Sequence, residues 1–175
     1  MTRCLGALLA AGLAMAGLPG TGAAQDTAGE DGAFVTFRVL KPEMALKAAQ
    51  AALEHCRAEG YQVGVTVVDR FGLPQVFLRD RFAGAHVQDT SFRKAWTAVS
   101  FRTGTSALHE ETAPGTESFG IRFLETALPL GGGLPVMGGD GSMVGGIGVS
   151  GAPGPSLDDV CAQAGLDAIE FDIAF

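Results

Sequence analysis

Residues 79–102, RDRFAGAHVQDTSFRKAWTAVSFR, decide how the whole chain is read. An apolar run ends at Arg79 and a short loop holds His86. Helical spacing then sets in, with Phe92, Ala95, Trp96 and Val99 on one face and Arg93, Lys94 and Arg102 on the other. Asp89 or Thr90 is expected to cap this helix by accepting backbone N–H bonds. One loop-to-helix junction thus gathers an imidazole, hydroxyls, cations and the only Trp of the chain. A ligand, if the protein holds one, is expected here.

On the N-terminal side, residues 33–40, AFVTFRVL, read as an edge strand, although Phe34 and Phe37 fall on opposite faces. Pro42 suits a first helical position. A stripe of Ala45, Ala48, Ala49, Ala52, Leu53 and Cys56 then predicts a helix over 44–59 with a close-packing face, and Gly60 stands where a C-terminal cap belongs. Residues 61–68 and 73–78 form a hairpin about Arg70-Phe71-Gly72, with Asp69 as the turn residue whose carboxylate takes local N–H groups.

On the C-terminal side, residues 105–111 continue in helical turns and Pro114-Gly115 breaks a loop. A short strand is expected near 127–130. Residues 134–137 and 142–149 form a second hairpin, and Ser156 opens a last helix with the stripe Leu157, Val160, Cys161, Ala164 and Ala168. Asp158 and Asp159 stand favourably in its first turn. Two hairpins with helices between and around them imply an α+β domain, an antiparallel sheet flanked by helices.

Residues 1–24 read as a secretory signal: Arg3, an apolar run, a Leu18-Pro19-Gly20 break and small residues before position 25. The run falls short of the ~20 residues that span a bilayer. Residues 25–32 read as a disordered leader and 33–175 as one domain, periplasmic or secreted. The 175-residue chain has 12 basic and 19 acidic side chains and a formal charge of −7. Removing the signal, residues 1–24, takes away only Arg3, and this balance opposes nucleic acid and anionic lipid.

Cys56 and Cys161 both lie on apolar stripes. If those two helices pack together, an oxidising compartment favours a disulfide; the alternative is two buried thiols. No C-x-x-C pair or zinc-ligand spacing is present. The G-x-G-x-x-G match at 146–151 is followed by Pro153 and Pro155 and leaves too little chain for a dinucleotide-binding unit. Its glycines are better explained by a strand lying close against another backbone. Gly131-Gly132-Gly133 reads as a turn whose N–H groups could face a ligand. No G-x-S-x-G elbow supports a triad, and nothing selects a catalytic pair from Asp69, Asp80 and Asp89. His55 reads as a surface or packing residue and His109 as solvated. His86 stands apart, beside a Gly-Ala pair that leaves room for it.

Taken in order, V-x-V-V-D-R-x-G (65–72), R-K-A-W-T-A (93–98), G-G-G-L-P (131–135) and V-G-G-I-G-V-S-G (144–151) resemble the GlcG/HbpS family of small haem-binding proteins and the C-terminal domain of PduO-type proteins. The resemblance spans about residues 41–169. It implies a profilin-like layered sandwich with adjacent terminal helices, self-association into homo-oligomers, and binding of haem or a related tetrapyrrole.

Ferric haem takes an axial donor, an apolar slot and cations for its propionates. His86 is the expected axial and metal-binding residue, and Thr90 an oxygen ligand or a hydrogen-bonding neighbour. Phe82, with Phe92 and Trp96, offers apolar surface; Arg79, Arg81, Arg93 or Lys94 can meet the carboxylates. Without C-x-x-C-H any haem is noncovalent. The expectation is an exported haem-binding protein for sequestration or sensing, with haem degradation as a side activity. A binding module for a corrinoid or organic acid, accessory to a transporter or enzyme, is the alternative. A hydrolase or lyase ranks last.

Overall fold

The computed structural model describes residues 33–174; the expected signal and leader, residues 1–32, lie outside the described residues. Helix α1, Pro42–Ala58, begins at the proline and buries the six-residue stripe that its spacing marks out. Its end is a Schellman turn. Gly60 takes φ +83°, the Gly60 N–H donates to Arg57 O, and the Tyr61 N–H donates to Cys56 O.

Strands β1, Gly64–Asp69, and β2, Pro74–Arg79, form the first hairpin. At its tip Asp69 accepts the N–H groups of Phe71 and Leu73 at 2.8 and 3.0 Å. Helices α2, Val87–Phe101, and α3, Thr105–Glu111, come next, then a 3-10 turn over Glu117–Phe123. Strands β3, Gly133–Met137, and β4, Met143–Ser150, form the second hairpin, and helix α4, Pro155–Asp167, follows. All pairings are antiparallel, in the order β2-β1-β4-β3.

Helices α1 and α4 cover one face of the sheet and α2 lies on the other. On the first face, alanines of α1 meet Val65, Val67, Ile147 and Val149 in the main core. Gly165 of α4 lets the two helices touch, for a Cβ there would stand 2.7 Å from Ala48 O. Cys56 and Cys161 close the disulfide across them, with Cα atoms 5.5 Å apart.

On the second face the glycines of β4 let α2 come down onto the strand. A Cβ on Gly148 would lie 2.0 Å from Ser91 O and 2.7 Å from Ala95 N. The G-x-G-x-x-G match is therefore a backbone-to-backbone contact, as its sequence context implies.

Four expectations need correction. Residues 33–40 form no strand. The neighbouring edge strand opens on Pro74, which has no N–H to give, and it is the Gln75 side-chain amide that donates to Leu40 O. Residues 127–130 form no strand either, because distant side chains take their backbone groups. Arg93 donates to Thr126 O and Ala127 O, Thr97 accepts the Leu128 N–H, and His109 Nδ1 lies 3.0 Å from Pro129 O. His109 is thus an anchor for this segment. Helix α2 starts at Val87 with His86 at its N-cap and no side-chain cap. Asp89 and Thr90 lie inside the first turn, where Thr90 bonds back to His86 O at 3.0 Å. Finally, α4 is rotated from its expected stripe. It buries Asp158, Cys161, Ala162 and Gly165 while Val160 is exposed, because Asp158 has a cationic partner inside.

Two stability measurements test this packing. Cys56→Ser removes a link across a sequence separation of 105, and the chain-entropy account puts the loss at up to about 4.7 kcal/mol. The urea midpoint should fall accordingly; an unchanged midpoint would show that the link adds nothing. Gly148→Ala should cost about 1–3 kcal/mol by forcing α2 off the strand, again read by urea unfolding, and a neutral result would contradict the contact.

Candidate functional site

The loop of residues 80–86 carries His86 and is fastened at several points. Asp80, only 3 % exposed, accepts two bonds from the Arg57 guanidinium at 2.9 and 3.1 Å and the Arg81 N–H at 2.8 Å. The Asp80 N–H itself donates to Val63 O. Arg79 is exposed, and its guanidinium donates to Ala83 O across the loop. Gly84 lacks the side chain that would block His86: a Cβ there would lie 2.7 Å from imidazole Cε1 and Nδ1. The imidazole is exposed and folded over Gly84.

Behind it, the Thr90 and Ser150 hydroxyls share a hydrogen bond of 2.7 Å, and Ser150 is buried at the end of β4. Deeper still is Lys94, 1 % exposed. Its ammonium donates to Asp158 Oδ2 at 2.8 Å and to Val149 O at 2.9 Å. Asp158 Oδ1 in turn accepts the Ala152 N–H at 3.0 Å. This buried pair ties α2, β4 and α4 together and moors the loop 151–154. The cavity that results, about 240 Å³, is bounded by His86, Thr90, Lys94, Ser150 and the Ala152–Pro155 loop.

The glycine run does not face this cavity with its N–H groups. Gly132 donates to Asp159, and Gly133 donates to Thr105 Oγ1 at 2.8 Å. Asp159 also accepts the Ser106 hydroxyl. Gly132 takes φ +113°, and a Cβ on it would crowd Val149 O and the Lys94 ammonium. The glycines serve the buried pair.

A second cavity of about 420 Å³ lies on the other flank of α2, between Pro74, Phe77 and Phe92, with Thr66 in its lining and Gln88 and Asp89 at its rim. At about 100° per residue, His86, Thr90 and Lys94 share one flank of the helix. Gln88, Asp89 and Phe92 share another, about 150° away.

The expected site residues are therefore divided. His86 and Thr90 come together. Lys94, expected on the polar face, is buried against Asp158 because the pair satisfies both charges there. Arg93 is engaged by carbonyls of residues 126 and 127, and Arg79 by its own loop. Arg81 stands 3.8 Å from Asp80 at its Nε but has a side chain 69 % exposed, and it is the cation of the set most open to a ligand. Phe82 is 80 % exposed, Phe92 faces the opposite flank, and Trp96 packs on Gly72. Ser150, Asp158 and Phe77 escape a reading of the sequence. Their places depend on contacts far along the chain, and no local spacing marks them. Among the described residues, no group of three or more His, Cys, Asp or Glu side chains could hold a metal ion, and no helix is long and apolar enough to cross a membrane.

A four-stranded antiparallel sheet with a helix pair behind and one helix in front is the architecture of a class of small α+β domains with known structures. HbpS of Streptomyces reticuli, solved as a double mutant, is 36 % identical with a TM-score of 0.74, covering 93 % of this chain and 99 % of that one. The complex of PduOC with haem is 29 % identical with a TM-score of 0.71, covering 75 % and 95 %. In sequence, corrinoid adenosyltransferase PduO of Salmonella typhimurium is 31 % identical over 69 % of this chain. The match spans only 36 % of that enzyme's length. An uncharacterised 15.0 kDa protein from the dhaT-dhaS intergenic region of Citrobacter freundii is 32 % identical over 70 % of this chain and 89 % of its own. The family described as haem degrading protein HbpS-like matches residues 40–167, and the chain belongs to it.

The two buried carboxyls titrate in opposite directions. Hydrogen bonds from Arg57 hold Asp80 below the usual range. Burial pushes Asp158 up, opposed in part by Lys94. As pH falls, Asp158 should take its proton first. From above down to the unfolded carboxyl value of about 3.9, that uptake adds stability, since the folded form holds the proton more tightly. The Asp80 contribution is complete above about 3.9 and is lost as pH falls through its lower folded value. Carbon-13 carboxyl titration by NMR reads the order directly; Asp80 protonating first would contradict it.

Proposed function

We propose that the chain is an exported, noncovalent haem-binding protein that self-associates and serves haem sequestration or sensing. The observation that carries this reading is the placement of His86: an exposed imidazole, given room by Gly84 and fixed at the mouth of α2. The Thr90–Ser150 hydroxyl pair lies beside it. Membership of the HbpS-like family and the haem complex of PduOC support the choice of ligand.

The donor chemistry fits ferric haem, with imidazole nitrogen for iron, a hydroxyl for hydrogen bonding and Arg81 for a propionate. When bound, haem supplies a redox-active iron, while the chain supplies the axial donor and the fixed loop that aims it. The leader-like residues 1–24 support export to the periplasm or beyond. Degradation, which the family description names, would draw its oxidant from outside, for the sequence carries no reductase or flavin motif. The match to PduO favours a corrinoid as the second reading.

Titrating hemin into the pure protein tests the proposal. The expected result is a Soret band that shifts and saturates near one haem per chain, and that is lost in His86→Ala. An unchanged hemin spectrum, with a corrinoid bound instead, would favour the second reading.

A further inference from the structure

We propose that the tip of the first hairpin is a lipid-docking surface: Phe37, Phe71 and Leu73 enter the headgroup region of a bilayer, with the Arg70 guanidinium at the level of the phosphates. The proposal uses the export reading above and is independent of haem.

The tip carries apolar side chains that its own geometry does not need. Asp69 closes the turn by accepting the Phe71 and Leu73 N–H groups, and Gly72 supplies the positive φ of +83°. Polar residues serve such turns as well or better. Yet Phe71 is 60 % exposed and Leu73 64 %. Phe37, from the segment before α1, stands edge-on to Phe71 with ring centroids 5.4 Å apart. The Arg70 guanidinium lies 4.0 Å from the centre of the Phe37 ring and 5.7 Å from that of Phe71. The ion pair of Arg38 with Asp140 holds this segment to the tip of the second hairpin, where Met137 is again exposed. Single apolar side chains on a surface are ordinary, but a contiguous group with a cation laid over it marks an interaction site.

A bilayer is the occupant that the patch and the chain favour. Phenylalanine and leucine on a hairpin tip can enter the acyl boundary, and an arginine whose stem lies along them keeps its charge among the headgroups. The chain also enters the fold here. From Ala24, the end of the leader-like stretch, to Phe37 it spans about 45 Å at full extension. Export through a membrane therefore brings this end of the domain within reach of lipid. With 19 acidic side chains against 12 basic ones, the chain as a whole is not drawn to anionic lipid, so the apolar residues must carry the binding.

The His86 loop follows Arg79, which pairs with Gly64 at the far end of β1 from the tip. The two ends of the strand are about 17 Å apart. A domain seated on its first hairpin thus leaves His86 clear of the bilayer.

Sedimentation with sucrose-loaded phosphatidylcholine vesicles tests this on the chain from Gln25, which retains every described residue. Half of the protein should sediment at roughly 1 mM lipid, since the patch offers less apolar area than a myristoyl chain, which binds at about 10⁴ M⁻¹. Phe71→Ser should weaken binding about tenfold, and Phe71→Ser with Leu73→Ser about a hundredfold. Val160→Ser, at an exposed apolar residue of α4 behind the sheet, should change nothing. Circular dichroism and urea midpoints like wild type establish that each variant folds.

An absence of sedimentation even at about tenfold more lipid, or tip variants that sediment as wild type does, overturns the proposal. So does stronger binding on adding phosphatidylglycerol, which would make charge the cause. A tip substitution that alters only the mass in analytical ultracentrifugation would assign the patch to a second copy and overturn it too. Export is read separately, from the mass of the protein found outside the cytoplasm, and haem binding from the hemin titration. Either can fail without touching the lipid result.

Discussion

The height of α2 above the sheet governs everything on that face, and glycine sets it. Gly146 and Gly148 present bare backbone to the helix, with Val99, Ala95 and Ser91 directly above them. Because the helix lies so low, short side chains can bridge to the strands. Ser91 and Thr66 meet at 2.7 Å, and Thr90 reaches Ser150. Lys94 passes the strand end to find Asp158 on the far layer. A helix lifted by a methyl group would lose this register of hydroxyls and the buried pair together. Dense packing converts a small volume change into a large one in geometry.

Local features were legible in the sequence. The alanine stripe of α1, its Gly60 cap, both hairpins and the Asp69 turn depend on residues a few positions apart. The close approach of α2 joins residues more than 50 positions apart, yet it too was legible, because the glycines of β4 mark it on one strand alone. The illegible parts depend on partners 30 or more positions away. Residues 127–130 look like a strand, yet Arg93 and Thr97 satisfy backbone groups there. Lys94 looks like a surface cation until Asp158, 64 positions on, comes to meet it. Helical spacing placed Phe92 and Trp96 on one face correctly, while nothing in it said that this face and His86 overlook different cavities.

The candidate site also shows how charge is distributed between structure and ligand. Of four cations near the junction, Arg79, Arg93 and Lys94 each hold carbonyls or a carboxylate of the chain itself. Burial of Lys94 is tolerable because its ammonium is hydrogen-bonded to Asp158 and to Val149 O. What is left for an outside partner is concentrated on one loop, in Arg81 and His86, and that loop is braced from beneath by Asp80 and Arg57. Rigidity below and exposure above suit a group that must be held ready for a ligand.

The disulfide lies behind the sheet, away from α2, and joins the first long helix to the last. Topologically it makes the intervening polypeptide a closed circuit containing all four strands. A protease that severs any surface turn within that circuit produces no separate fragments. Both pieces remain tethered through sulfur, and the cut domain can keep its shape.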